Sequence, residues 1–379
     1  MNDTFAIIYA EHGSPLLGSL IERRSVSALP LAGRFRTIDV LLSNIAHSGI
    51  RNVGVITQKN YQSLIEHIGS GHAWGLSGKA GGVTLLPPYD LDGSVGKYHG
   101  VSDALFAKRD YINKRRERYA LVLGTDMVYR EDYTRMLERH MESDADITLL
   151  YTRTAGASKG DDSPVHMTYL RIDDQGWVTG FDYESMEAED NATALGAVLM
   201  RKDLLVRLVE DACAEGHYNF TTDLLEPALA QYKVAAVEHE GYAGRITTVK
   251  SYFDLTRDML DPKVRQDLFY DHGSVYTRVM DAPPVRFAGG CEVADSVFGN
   301  GCDVRGRVVG SVVFRGVSVA AGADVENCVV MQDSTVGEGA HLRNVIVDKD
   351  VVIGAGARIV GTPDAPAVIR KGSIIEGEQ

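Results

Sequence analysis

A six-residue apolar period in the C-terminal third constrains this chain more than any other feature. Val313, Val319, Val325 and Met331 share one phase, Val336 and Leu342 a second, and Val347, Ile353 and Ile359 a third, so the phase slips by one residue twice. Seventeen valines fall between Val293 and Val352, strewn among Gly, Ala, Asp and Ser, and no helical stripe survives there. That is the mark of a hexapeptide-repeat parallel β-helix, in which each short face turns one inward side chain onto a stack. An antiparallel sandwich would call for period-two alternation over longer runs. Such a solenoid exposes Val-rich flanks and open ends, so an oligomer is expected.

Residues 1–260 follow another rule. FAIIYA (5–10), NVGVITQ (52–58), YALVLGTD (119–126) and DITLLYT (146–152) read as buried strands. Residues 99–118 and 132–143 show helical spacing with charged outer faces, and KRRER (114–118) reads as a basic, solvated helix face. Strands alternating with helices predict an α/β domain with a parallel, Rossmann-like sheet, whose strand-end loops are where ligands sit. Residues 261–285, with the Pro283-Pro284 pair, read as a connector, and 286–379 as the β-helix domain. Length supports two domains, since 379 residues exceed one typical unit.

The net charge of −13 is a poor basis for holding nucleic acid or an anionic membrane. No basic leader and no run of about 18 apolar residues occurs, so the chain is expected in the cytoplasm. Cys213, Cys291, Cys302 and Cys328 lie far apart, with no CxxC pair, and are expected as reduced buried thiols.

GRFRTIDVLLSNIAHSGIRNVGVITQ (33–58), GGVTLLPPY (81–89), KYHGVSDALF (97–106), LVLGTDMVYREDY (121–133) and FRGVSVAAGADVENCVVM (314–331), in that order, resemble the glucose-1-phosphate adenylyltransferases. The resemblance implies a nucleotidyltransferase (GT-A-like) domain followed by a left-handed parallel β-helix. It also implies a reaction that joins ATP to glucose 1-phosphate, releasing diphosphate, in glycogen synthesis. Bringing two anions together rests on cations, backbone amides and Mg²⁺.

Set against the family's motifs, this chain departs where that chemistry is implied. For the GGxGTRL loop, Glu11 and His12 stand on the paired glycines, Ser14 and Pro15 on GT, and Leu16 on the arginine. Val26 and Ser27 replace the Lys-Pro of KPA. Pro15 removes an amide and Glu11 brings an anion toward a polyphosphate. Asp126 matches the first Mg²⁺ carboxylate, with a turn or helix-cap aspartate as the alternative. The second carboxylate's motif, resembling GYWxDVGTxxSY, is GYAGRITTVKSY (241–252) here, with Arg245 at the Asp, Thr247 at the Gly and Lys250 adding a charge. On the sugar side Glu184 stands at the family's lysine, Ala194 at its serine and Thr222 at a second lysine, while Asp223 is retained. Exchanging a cation for an anion there costs about 2–4 kcal/mol of phosphate binding.

Gly81, Gly82, Tyr98, Gly100, Asp126 and Gly196 keep their family identities. Fold preservation suffices for the glycines. The pattern is similar to the D-type (GlgD-type) subunit, which implies a non-catalytic regulatory or assembly partner of a catalytic subunit in a mixed hetero-tetramer. This chain would then need no cofactor of its own, Mg²⁺ serving the catalytic partner, and a phosphorylated-metabolite effector is a further expected ligand. The main alternative is an active sugar-phosphate nucleotidyltransferase of altered substrate preference, using Arg34, Arg36, Arg245 or Lys250 for phosphates. A hexapeptide acyltransferase would need a catalytic histidine in the repeats, where His341 alone stands and reads as a surface-turn residue.

Overall fold

The computed structural model describes residues 1–10, 13–78, 81–88, 98–153, 167–183 and 192–377. Glu11, His12 and Glu184 therefore lie outside the described residues. The opening strand, Thr4–Ala10, is buried along its whole length. Asn52–Thr57 and Tyr119–Leu123 run parallel on either side of it, Ala6 facing Val53 and Leu121, and Gly82–Leu86 extends the sheet beyond Asn52–Thr57. Beyond Tyr119–Leu123 the expected parallel order ends. Ala192–Arg201 is antiparallel both to that strand and to Ile147–Thr152, so the nine-stranded sheet is mixed. A register break between Ala194 and Val198, at Gly196 with φ +67°, lets this ten-residue strand serve several partners. Apolar runs mark burial but carry no information about strand direction.

Residues 99–118 do not form one helix. They give Val101–Ala107 and Arg109–Asn113, broken at Lys108, whose ammonium donates to the Pro87 carbonyl at 2.6 Å. KRRER is not a helix face: Arg115 offers its carbonyl to Lys202, and Arg118 pairs with Asp3. Thr134–Glu142 is helical, as its spacing predicts. Among the described residues no helix is long and apolar enough to cross a membrane.

The C-terminal region is a three-sided solenoid of short parallel strands, the architecture of a left-handed β-helix. Its inward stacks are Val304–Val319–Val336–Ile353, Val308–Val325–Leu342–Ile359 and Val313–Val330–Val347. Met331 thus does not follow Val313, Val319 and Val325, one inward residue on each side, into the solenoid; Val330 takes that place. The third side advances five residues, from Val325 to Val330, and that shorter step is the phase slip read in the sequence. Each corner uses a left-handed residue, such as Gly310, Asn327 and Asn344, or Gly316, Asp333 and Asp350.

Met331 faces the N-terminal domain instead, in a shared core with Leu17, Leu20, Tyr252, Phe253 and Phe314. Beside it Arg24 donates to both Asp348 carboxylate oxygens, at 2.7 and 3.0 Å, with both side chains buried. Residues 261–285 are also fastened: Phe35 stacks on Phe269, and Arg130 donates to the carbonyls of His272 and Gly273. Of the four free thiols, Cys302 and Cys328 are buried, whereas Cys213 and Cys291 are half-buried.

Candidate functional site

The central strands aim their carboxyl ends at a cleft of about 190 Å³, smaller than the roughly 300–1,000 Å³ of most ligand sites. Tyr9, Gly124, Asp126, Thr168, Ala194, Gly196, Thr221 and Arg245 lie on its wall. Asp126 and Arg245 are the only charged side chains among the described lining residues.

These two are paired with each other. Arg245 Nε donates to Asp126 Oδ2 at 2.9 Å, with the side chains 18% and 26% exposed. The backbone sets the contact: Ala243–Arg245 lies antiparallel to Met127–Tyr129, and the Ile246 amide donates to the Asp126 carbonyl at 2.7 Å. Asp126 lies in the bend between strands Tyr119–Leu123 and Met127–Tyr129, caps no helix, and its carboxylate serves an ion pair. One carboxylate already engaged by a guanidinium does not fit Mg²⁺, which wants several unencumbered oxygens. Lys250 turns away, to Asp254 one helical turn on and toward Asp364 at 3.9 Å. Thr247 is buried, its amide donating to Ser251 Oγ in the cap of helix Val249–Asp258.

The described residues from Gly13 to Ile21, after the first strand, fold back on themselves. Ser14 accepts from the Leu16 amide with its hydroxyl and from the Leu17 amide with its carbonyl. Pro15 opens a tight helical turn, Pro15–Ile21. Leu17 and Ile21 are buried while Leu16 is exposed. Val26 is fully buried, with Leu17, Ile21 and Val26 carbons close around Gly13. An apolar knot thus stands beside the loop in which amides would cradle phosphates. Ser27 donates to Thr125 Oγ1 at 3.1 Å.

On the sugar side the predicted residues do not all converge. Ala194 and Gly196 line the cleft. Asp223 does not; it borders a separate depression between helix Lys202–Ala214 and residues 223–232. Its carboxylate accepts from the Tyr218 and Asn219 amides and from Thr222 Oγ1. Those bonds, the Asn219 amide foremost, hold its pKa below the ordinary range. Tyr98 packs its ring against the sheet core. Gly100 is fixed by close approach, since a Cβ would fall 2.2 Å from the Tyr218 carbonyl oxygen. Gly81 and Gly82 open the outer strand against the backbones of Arg51 and Leu76.

The pattern of the Nucleotidyl transferase family matches residues 17–261, and that of the GlmU-like C-terminal hexapeptide matches 283–370. The glucose-1-phosphate adenylyltransferase of Geobacillus stearothermophilus is 33% identical over 326 residues, covering 85% of this chain and 82% of its own. The chain belongs to the glucose-1-phosphate adenylyltransferase family. The enzymes of that name from Bacillus cereus (strain ATCC 10987 / NRS 248) and Bacillus mycoides are 30% and 31% identical, each over 86% of both chains.

Within this adenylyltransferase frame, two contacts have no signal in the sequence. Met167 Sδ lies 2.9 Å from Arg245 Nη1, and the Ser27–Thr125 hydroxyl pair ties the turn to the strand end. Both join residues far apart in the chain, in segments without periodicity. His341, weighed as a surface-turn residue, instead sits in strand His341–Arg343, its Nδ1 3.1 Å from Asp324.

Proposed function

We propose that this chain is a non-catalytic subunit of the glucose-1-phosphate adenylyltransferase system, assembling with a catalytic subunit and modulating it. The observation that carries the reading is the Asp126–Arg245 pair, in a cleft whose described wall offers no other charge. A triphosphate and a sugar phosphate together need several cations, and here the nearest guanidinium is committed to a carboxylate. Mg²⁺ chemistry belongs, on this reading, to the catalytic partner in a mixed tetramer. The shared interface would bias that partner's conformational equilibrium.

At the domain seam Lys349, Arg36 and Arg24 lie close together, where a phosphorylated effector would meet cations. Burial, with Arg36 and Arg24 close by, pushes the Lys349 ammonium down to about 7. An anion seated there would restore its charge. The rival reading, an active transferase with altered substrate, requires cations in the cleft. Its candidates are committed elsewhere: Arg36 donates to Ser63, Arg34 lies over the Phe35 ring, and Lys250 meets Asp254.

The test is purification of the chain alone and with a catalytic subunit. The lone chain is expected to form no ADP-glucose and to give no heat with ATP or UTP, while its addition changes the catalytic subunit's activity or effector response. Turnover by the lone chain overturns the reading.

A further inference from the structure

Lys349 stands at a corner of the solenoid, just past strand Val345–Val347, where the repeats meet the N-terminal domain. Its backbone is fixed: the Lys349 amide donates to Asp348 Oδ1 at 2.7 Å, and its carbonyl accepts from the Gly372 amide at 2.9 Å. Its side chain is half-buried, with Arg36, Arg24 and Lys371 as cationic neighbours. The acids nearby are already engaged. Arg24 holds both Asp348 oxygens, and Asp350 lies 3.4 Å from Lys371. Among the described residues no carboxylate pairs with the Lys349 ammonium. Burial among like charges therefore favours the neutral amine. At about pH 7.4 a group near 7 is about 70% unprotonated, against about one part in a thousand for an ordinary lysine. The cleft makes no use of this nucleophile.

We propose that Lys349 is a carbamate-forming residue that takes up carbon dioxide reversibly at the seam between the domains. The amine lone pair attacks the carbon of CO2, a C–N bond forms, one C=O electron pair moves onto oxygen, and an amine proton leaves to water. The lysine becomes R–NH–COO⁻, with one H⁺ released and no oxidant or leaving group needed. The surroundings select this electrophile over others. An aldehyde would give a cationic iminium and an acyl donor a neutral amide, and neither offsets the surplus positive charge. Carbon dioxide enters without charge, so the cations do not repel it, and only the product is an anion for Arg36 and Lys371 to hold. This inference goes beyond the subunit reading above, because it concerns the seam amine and stands whether or not the cleft is active. A carbamate and a phosphorylated effector would draw on the same cations, so each excludes the other.

The test equilibrates the full chain with ¹³C-labelled bicarbonate at about pH 8, where CO2 and neutral amine coexist, traps carbamates as ethyl esters with a trialkyloxonium salt, and maps them by peptide mass spectrometry. The labelled ester is expected on Lys349 and is lost in Lys349→Met and in Lys349→Arg, which keeps the charge but not the nucleophile. Binding to the folded chain alone also stabilises it, so bicarbonate should raise the melting temperature of the wild type by about 2–4 °C over chloride of equal ionic strength, and of neither variant. Peptide mapping separates this site from the Met1 amine, the other group that ordinarily titrates in this range. No ester on Lys349, an ester confined to Met1, labelling spread evenly over surface lysines, or a temperature rise shared by both variants each overturns the proposal.

Discussion

At the residue scale the site is a matter of sign. Arg245 supplies a positive charge where metal chemistry in the family is implied to need a negative one, and Asp126 is drawn into a pair with it. Arg245→Asp is expected to create a two-carboxylate pocket whose melting temperature rises with millimolar Mn²⁺, while the wild type shows no such rise. An equal response of both proteins would mean that Arg245 does not govern the site. Gly100 makes a different point. Adding a methyl 2.2 Å from the Tyr218 carbonyl oxygen forces backbone to move, so Gly100→Ala should cost more than about 2 kcal/mol in urea unfolding. Packing alone therefore suffices to account for its survival. Lys349 carries the pH dependence. Its folded pKa lies below its unfolded value, so the unfolded chain holds the extra proton between about pH 7 and 10 and stability from this group rises through that window. Lys349→Met should be more stable than wild type by about 1–2 kcal/mol at pH 6, and the gap should close by pH 10. A constant gap would remove Lys349 as the cause.

At the element scale, what was legible in the sequence depended on whether local chemistry decided it. The strands at residues 4–10, 52–57, 119–123 and 147–152 were legible because unbroken apolar runs need burial on both faces. The direction of Ala192–Arg201 was not, because a bulge at Gly196 sets it. The helix expected over 99–118 was split by Lys108, whose charge seeks the Pro87 carbonyl. The six-residue period was sound, but one side of five residues moved Val330 inward and Met331 outward. This assignment has a consequence. Val330→Asp should abolish the solenoid's cooperative transition, since it places a bare charge inside a dry stack. Met331→Ala should instead cost about 2–4 kcal/mol at the domain seam and leave the repeats intact. Hydrogen exchange of the repeat amides separates the two outcomes.

For the whole molecule, the seam between domains is a fused core and not a hinge. Breaking one half of the buried Arg24–Asp348 pair leaves an uncompensated charge, so Arg24→Met should cost about 3–5 kcal/mol and lower the unfolding temperature of both domains together. Two separated calorimetric transitions in the wild type would contradict a shared core. On the proposed reading, that rigidity would let a change at one face be carried as a unit to another. The site itself was partly legible: Asp126 and Arg245 were named from motif positions, but their mutual pairing, the apolar knot around Gly13 and the outward turn of Asp223 needed the fold. The most direct measurement is isothermal titration of the purified lone chain with Mg²⁺-ATP, followed by an ADP-glucose assay on the same sample. The account predicts no saturable heat and no product; saturable binding with turnover would contradict it.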